Sequence, residues 1–296
     1  MATVQPIVDA IKPYVDENSE ALYVKSVLGG KSASMFSLVP DVKGAKAIHL
    51  MDTEVVLQDG SACGWNETEG TSFSNRILTP AVLKVNMAFC DKNLLGTYAA
   101  RKVKLAAGTE VLPFEEAWTK SITDNVAKQI EKMIYQGDSA NGAEFDGLIK
   151  ILGADGAVAV TAAAGTSAYD YLKQVAAAIP AEVENPVILV STPMYREFMQ
   201  DLVAANLFHY DPANGDNEYR LPGTDIKVIA VNGLNGTSNA IAADLNNLIY
   251  GCDAEGSEST FDLFYSRDNR EFRLAIEFAA GVQVAFPDRV VLGNRQ

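Results

Sequence analysis

Histidine and cysteine are scarce in this chain: 296 residues hold two histidines, His49 and His209, and three cysteines, Cys63, Cys90 and Cys252. Neither histidine sits in an HExxH or GxSxG pattern, so no zinc protease or serine-hydrolase site can be assembled around them. An odd number of widely spaced cysteines fits neither a disulfide framework nor a zinc site with paired close ligands, and the expectation is free structural thiols. Positive charge is short as well. Against 38 acidic residues stand 24 Lys and Arg, a net charge of -14, which opposes phosphate binding through a general basic surface. No basic region leads into an apolar run and no apolar run reaches the roughly 18 residues of a membrane span, so neither a signal peptide nor a membrane partner is expected. No aspartate-rich loop follows calcium-binding spacing. Catalytic, cofactor-binding and metal-binding residues are expected to be none.

Two local patterns come close to motifs without completing them. Gly30-Lys31-Ser32 matches the end of a phosphate-binding loop, but Lys25 stands where the first glycine belongs, which leaves a turn with a solvated lysine. Asn66-Glu67-Thr68 and Asn235-Gly236-Thr237 match the glycosylation acceptor, and without a secretory signal both read as coincidence.

What the chain does have is a spine. From Pro113 to Gln136, Phe114, Trp118, Ile122, Val126, Ile130 and Met133/Ile134 recur every three to four residues, giving one apolar stripe along a helix roughly 36 Å long at 1.5 Å per residue. Pro113 suits its first position, Glu115 and Glu116 suit the positive end of its dipole, and Gly137 suits a left-handed cap. Before it, Val4 to Val15 predict a short amphipathic helix interrupted by Pro13, then an arm without sustained periodicity. Residues 45–90 hold two extended stretches, AKAIHLM and PAVLKVNMAF, around a polar excursion with Trp65, Phe73 and Ile77. Leaving such side chains exposed forgoes about 1.5–3 kcal/mol each, so the excursion either packs on itself or docks on another chain.

After the spine, a helix opening at Thr166-Ser167, the apolar strand Pro186–Val190, a helix opening at Thr192-Pro193, and strands at 226–231, 239–243 and 247–250 predict an α/β lobe over residues 167–250. His209 and Tyr210 lie in its polar loop, 209–220. In Glu271 to Phe278, Phe272, Leu274, Ile276 and Phe278 alternate strictly with polar or small residues. This predicts an antiparallel hairpin with Phe261–Ser266, a third strand after Gly281, and a sheet for the spine to cover.

The order of these parts resembles the major capsid proteins of tailed phages, the Hong Kong 97-like fold. Cys90-Asp91-Lys92-Asn93-Leu94, Pro113-Phe114-Glu115, Leu221-Pro222-Gly223, Asn247 to Asp253 and Gly281-Val282-Gln283-Val284 look like that family's coat proteins, particularly those of gut phages, crAss-like and related. The resemblance implies an α+β chain with an N-terminal arm over 1–44, an E-loop hairpin over 45–90, a P-domain in two parts (91–166, with the spine at 113–136, and 254–296) and an A-domain over 167–253. It implies a structural protein and no enzyme: a homo-oligomer of hexamers and pentamers enclosing double-stranded DNA, assembled in the host cytoplasm. Portal and decoration proteins are possible partners, and scaffolding, if needed, is expected from a separate protein, because the arm begins almost at once. Inter-subunit contacts are expected from Trp65, Phe73, Arg76, Ile77, His209 and Tyr210. Some members join subunits by an isopeptide bond from an E-loop lysine, yet no lysine stands between Thr53 and Ile77. An encapsulin-type shell and a soluble α/β enzyme stay open as alternatives.

Overall fold

The computed structural model describes residues 5–53, 70–90, 114–142, 144–208, 218–253, 261–266, 268–269 and 271–296. Its first element, α1 (Gln5–Leu28), is longer than expected: the helix runs through Pro13 without a break. Its second half buries Val15, Leu22, Tyr23 and Val27 against the spine, so this part of the expected arm belongs to the core. A short helix, α2 (Lys31–Met35), follows Gly29-Gly30.

The spine, α3 (Phe114–Gln136), is buried on two faces. One carries the expected stripe, Ile122, Val126, Ile130 and Ile134, which joins Leu83, Leu274, Ile276 and Phe278 in one core cluster. The other is a ladder of five side chains spaced four residues apart, Thr119, Thr123, Ala127, Glu131 and Tyr135, mostly small or polar and each under a tenth exposed. Small residues on that ladder let the neighbouring chain approach closely: a Cβ on Gly29 would lie 3.4 Å from that of Ala127. Gly137 does not take the expected left-handed cap. Its N–H donates to Met133 O at 3.0 Å, and glycine is required because a Cβ would meet Phe145 O at 2.3 Å.

Two sheets flank this scaffold. In the first, the long β12 (Glu271–Val284) is central, antiparallel to β4 (Ala81–Cys90) on one side and to β11 (Phe261–Ser266) and β10 (Leu248–Cys252) on the other. The short parallel β1 (Ser37–Val39) follows β10. β12 passes unbroken through Gly281, so no separate third strand begins there. The second sheet has the order β5-β13-β9-β6-β8-β7, from β5 (Val158–Ala162), β13 (Val291–Arg295), β9 (Asn239–Ala243), β6 (Val187–Ser191), β8 (Lys227–Val231) and β7 (Glu218–Arg220). Helices α5 (Ala168–Ala177) and α6 (Thr192–Ala204) pack on it through Tyr171, Leu172, Val175, Phe198 and Leu202. Ser167 caps α5, and Ser191, one residue before the expected Thr192, caps α6.

Three strands change partners relative to the expected boundaries. β5, within the segment 91–166 assigned with the spine to the P-domain, pairs with β13 in the α/β sheet. β10, read as completing the α/β lobe, pairs with β12 instead, with Leu248 opposite Val284. β13, within the segment assigned to the antiparallel lobe, sits between β5 and β9 in the α/β sheet. All three are strands of five residues, and such short segments reveal strand character without revealing which sheet takes them. The short α4 (Leu148–Ala154) lies beside the spine's C-terminal end.

Candidate assembly surface

A two-stranded antiparallel ribbon, β2 (Lys46–Thr53) with β3 (Thr71–Leu78), carries three large exposed hydrophobic side chains, Met51, Phe73 and Ile77. Side chains alternate across a ribbon, so each face can be read from the register. On one face Ala47 opposes Ile77, His49 opposes Asn75 and Met51 opposes Phe73. This face is open: Met51 is 63% exposed, Phe73 78% and Ile77 59%. Within it His49 Nδ1 and Asn75 Oδ1 lie 2.7 Å apart in a hydrogen bond, which satisfies the polar pair between the apolar ones. The opposite face turns toward the body, with Leu78 fully buried and Arg76 largely covered.

Arg76 therefore works inside its own chain. Its Nη2 pairs with the Asp155 carboxylate just after α4 and also donates to Gln283 Oε1 of β12 at 3.2 Å. The Gln283 amide returns a hydrogen bond to Ile77 O at 2.8 Å. Beneath this cluster Leu78 rests on the backbone of Gly251, where a Cβ would come within 2.3 Å of Leu78 Cδ2.

Of the expected contact residues, the structure thus brings Phe73 and Ile77 onto one open face and turns Arg76 inward. Trp65, His209 and Tyr210 lie outside the described residues. Met51 was missed, although its alternation with His49 and Ala47 was the available signal.

A second apolar feature lies between β4 and the spine, a cleft of about 260 Å³ lined by Leu83, Val85, Met87, Ile122 and Met133. Phe89 and Trp118 close one end of this region edge to face, with centroids 5.5 Å apart.

The chemistry elsewhere is structural. Glu131 is 4% exposed; its Oε2 accepts Ser32 N–H at 3.0 Å and its Oε1 accepts the Ser32 hydroxyl at 2.5 Å, while Tyr135 Oη lies 2.6 Å from the same hydroxyl oxygen. Burial raises the Glu131 pKa, opposed by the Ser32 hydrogen bonds and the charge of Lys31. Lys31 is not simply solvated, since its Nζ reaches Ala230 O at 3.4 Å and Glu218 at 3.7 Å. The Cys252 thiol is free and buried, pushed up to about 11 by burial and then by the charge of Asp253, so it is protonated and inert at neutral pH. Among the described residues no group of three or more His, Cys, Asp or Glu is placed to hold a metal ion, and no helix is long and apolar enough to cross a membrane.

No protein-family model and no curated protein matches the chain. Solved structures do. A chain of the satellite phage P4 procapsid, a particle that includes the size determination (Sid) protein, is similar over 100% of this chain and 98% of its own, with a TM-score of 0.65 at 11% identity. A chain of Gordonia phage Cozz is similar over 90% and 86%, with a TM-score of 0.57 at 12% identity. A chain of the virus-like particle from Pyrococcus furiosus is similar over 94% and 98%, with a TM-score of 0.56 at 10% identity. At these identities the likeness speaks for the fold, and the fold is that of phage capsid proteins.

Proposed function

We propose that this chain is a shell subunit, the major capsid protein of a tailed phage, with the Hong Kong 97-like arrangement of arm, E-loop, P-domain and A-domain. The observation that carries the reading is a chain-length match to a procapsid protein combined with an open apolar ribbon face. A subunit that leaves Met51, Phe73 and Ile77 on one face has an incentive to cover them in an oligomer. In this reading the ribbon is the E-loop, reaching over an adjacent copy. The α/β sheet with α5 and α6 is the A-domain, and the spine with the β12 sheet is the P-domain. Residues 1–44, 45–90, 91–166, 167–253 and 254–296 are proposed as the divisions, amended in that β5 and β13 join the α/β sheet and β10 joins the β12 sheet.

The shell encloses double-stranded DNA without sequence-specific contacts. A motor-filled wall has no need to attract phosphate, which suits a charge of -14. Hexamers and pentamers of this one chain, assembled in the host cytoplasm, close the virion head; the protein has no enzymatic role. The likeness to the Pyrococcus furiosus virus-like particle favours a second reading, an encapsulin-type compartment holding protein cargo. Purified particles separate the two. Negative-stain images should show closed shells, and nuclease-resistant double-stranded DNA inside native particles supports the phage head, whereas a co-purifying cargo protein in DNA-free shells supports the compartment. A chain that stays monomeric at every concentration overturns both.

A further inference from the structure

The ribbon meets the body through two contacts of different kinds. The inner one is apolar and tightly fitted: Leu78 is fully buried over Gly251, and Thr79 and Pro80 pass so close to Gly281 that a Cβ there would lie 3.0 Å from Thr79 O and from Pro80 Cα. The outer one, two residues farther along the same face, is polar. Arg76 reaches Asp155 at the end of α4 and Gln283 on β12, two separate elements of the body, and Gln283 also holds Ile77 O. Asp155 keeps 37% of its side chain exposed and Arg76 22%, so water can reach the pair. Past Arg76 the side chains of β3 are open on both faces: Asn75, Ser74, Phe73 and Ser72 are all exposed, while Leu50, opposite Ser74 on β2, is half-buried.

A fitted apolar contact resists sliding but tolerates small rotations, whereas an ion pair shared between two rigid elements fixes an angle and can be released without unfolding either side. We propose that Arg76, Asp155 and Gln283 form a releasable stop, and that Leu78 over Gly251 is the pivot about which the ribbon turns once the stop opens. Phe73 lies three residues beyond Arg76, about 10 Å at roughly 3.3 Å per residue, so a modest turn at the pivot moves the apolar face by several ångströms. The stop thereby presets where Met51, Phe73 and Ile77 point. This goes beyond the shell reading and is tested on the isolated subunit, so its failure and the failure of that reading are separate events.

The test is a distance measurement in the full chain, held dilute and monomeric. Spin labels on non-canonical residues replace Phe73 on the ribbon and the exposed Ser121 on the spine, so the native thiols stay unlabelled. The parent should give one narrow distance distribution. Asp155→Asn should broaden it or add a second distance, with thermal unfolding of the body unchanged. Arg76→Glu should broaden it too, and Arg76→Glu combined with Asp155→Arg should restore the narrow peak by re-forming the pair with reversed polarity. An Asp155→Asn distribution that superimposes on the parent's overturns the proposal. So does broadening in Arg76→Glu that the reversed pair fails to narrow, because the charge pairing would then not be what sets the angle.

Discussion

Replacing Glu131 with alanine tests whether the spine's polar ladder locks the N-terminal segment in place. Ser32 has one hydroxyl hydrogen, and since it goes to the Glu131 carboxylate, Tyr135 must donate to the Ser32 oxygen. The chain runs Tyr135 to Ser32 to Glu131, with Ser32 N–H as a second donor to the carboxylate. Ser32 and Tyr135 are fully buried, so alanine at 131 strands at least the Ser32 N–H away from water and leaves a void. A buried unsatisfied donor costs about 1–3 kcal/mol, and the lost hydroxyl acceptor brings the expected destabilisation to about 2–4 kcal/mol. Glutamine is different: its carbonyl still accepts Ser32 N–H and no buried charge remains, so the cost should stay within about 1 kcal/mol at neutral pH. The two variants also fix a pH signature. Burial raises the wild-type carboxyl above its ordinary 4.5, so the folded state holds the Glu131 proton more tightly than the unfolded state. That contribution is fully present below 4.5 and is lost as pH rises through the raised folded value. Wild type should therefore gain on Glu131→Gln as pH falls from neutrality to below 4.5. Urea unfolding of the dissociated subunit, followed by fluorescence of Trp118, reads both effects. An alanine variant within about 0.5 kcal/mol of wild type would refute the lock, since that is the scatter of a neutral surface change. So would a gap that moves the other way with pH.

Four further outcomes are expected. Gly233→Ala places a Cβ 2.2 Å from Glu131 O and 2.3 Å from the Tyr135 ring, neither of which can retreat, and thermal melts should show a loss of at least the roughly 1–3 kcal/mol of an overpacked core. Phe73→Ser should leave subunit unfolding within about 0.5 kcal/mol of wild type, as a surface change does, while reducing shell formation; deletion of 52–73, which spares the Arg76 pair and the buried Leu78, should leave a folded subunit that forms no closed shells, and normal shells from the deletion would dismiss ribbon docking. Boiling mature particles in denaturing detergent with reductant should return one band near 31.8 kDa, because Arg76 is the sole basic residue between Thr53 and Ile77 and a guanidinium stays protonated and cannot attack an amide. A ladder of heavier bands would reveal a cross-link from another lysine.

The parts of this chain that could be read from its sequence are those where periodicity and burial coincide. The stripe from Ile122 to Ile134 and the alternation of Leu274, Ile276 and Phe278 name both the element and its inward face, and the two faces meet in one core. Helix α1 escaped that logic because Pro13 argues for a break, yet the tertiary contacts of Val15, Tyr23 and Val27 accompany a helix that runs through it. The second buried face of the spine escaped because threonine, alanine and glutamate carry no hydrophobic signal. What helps to bury Ala127 and Glu131 is the close approach of another backbone, permitted by Gly29 and Gly30, with Ser32 satisfying the carboxylate.

The ribbon shows the same division between what is local and what is not. Its strand character and its exposed Phe73 and Ile77 follow from residues within a few positions of each other, but the direction in which Arg76 points depends on Asp155 and Gln283, 79 and 207 positions away. An arginine in a polar loop reads as a partner-facing charge until those two residues are placed beside it. Once they are, the ribbon separates into a face turned to the body and a face left for something else. The apolar character of that second face, carried by Met51, Phe73 and Ile77, calls for a covering surface that the described residues of one copy do not supply. The Phe73→Ser comparison of subunit stability with shell yield separates a face needed for assembly from one that is merely exposed.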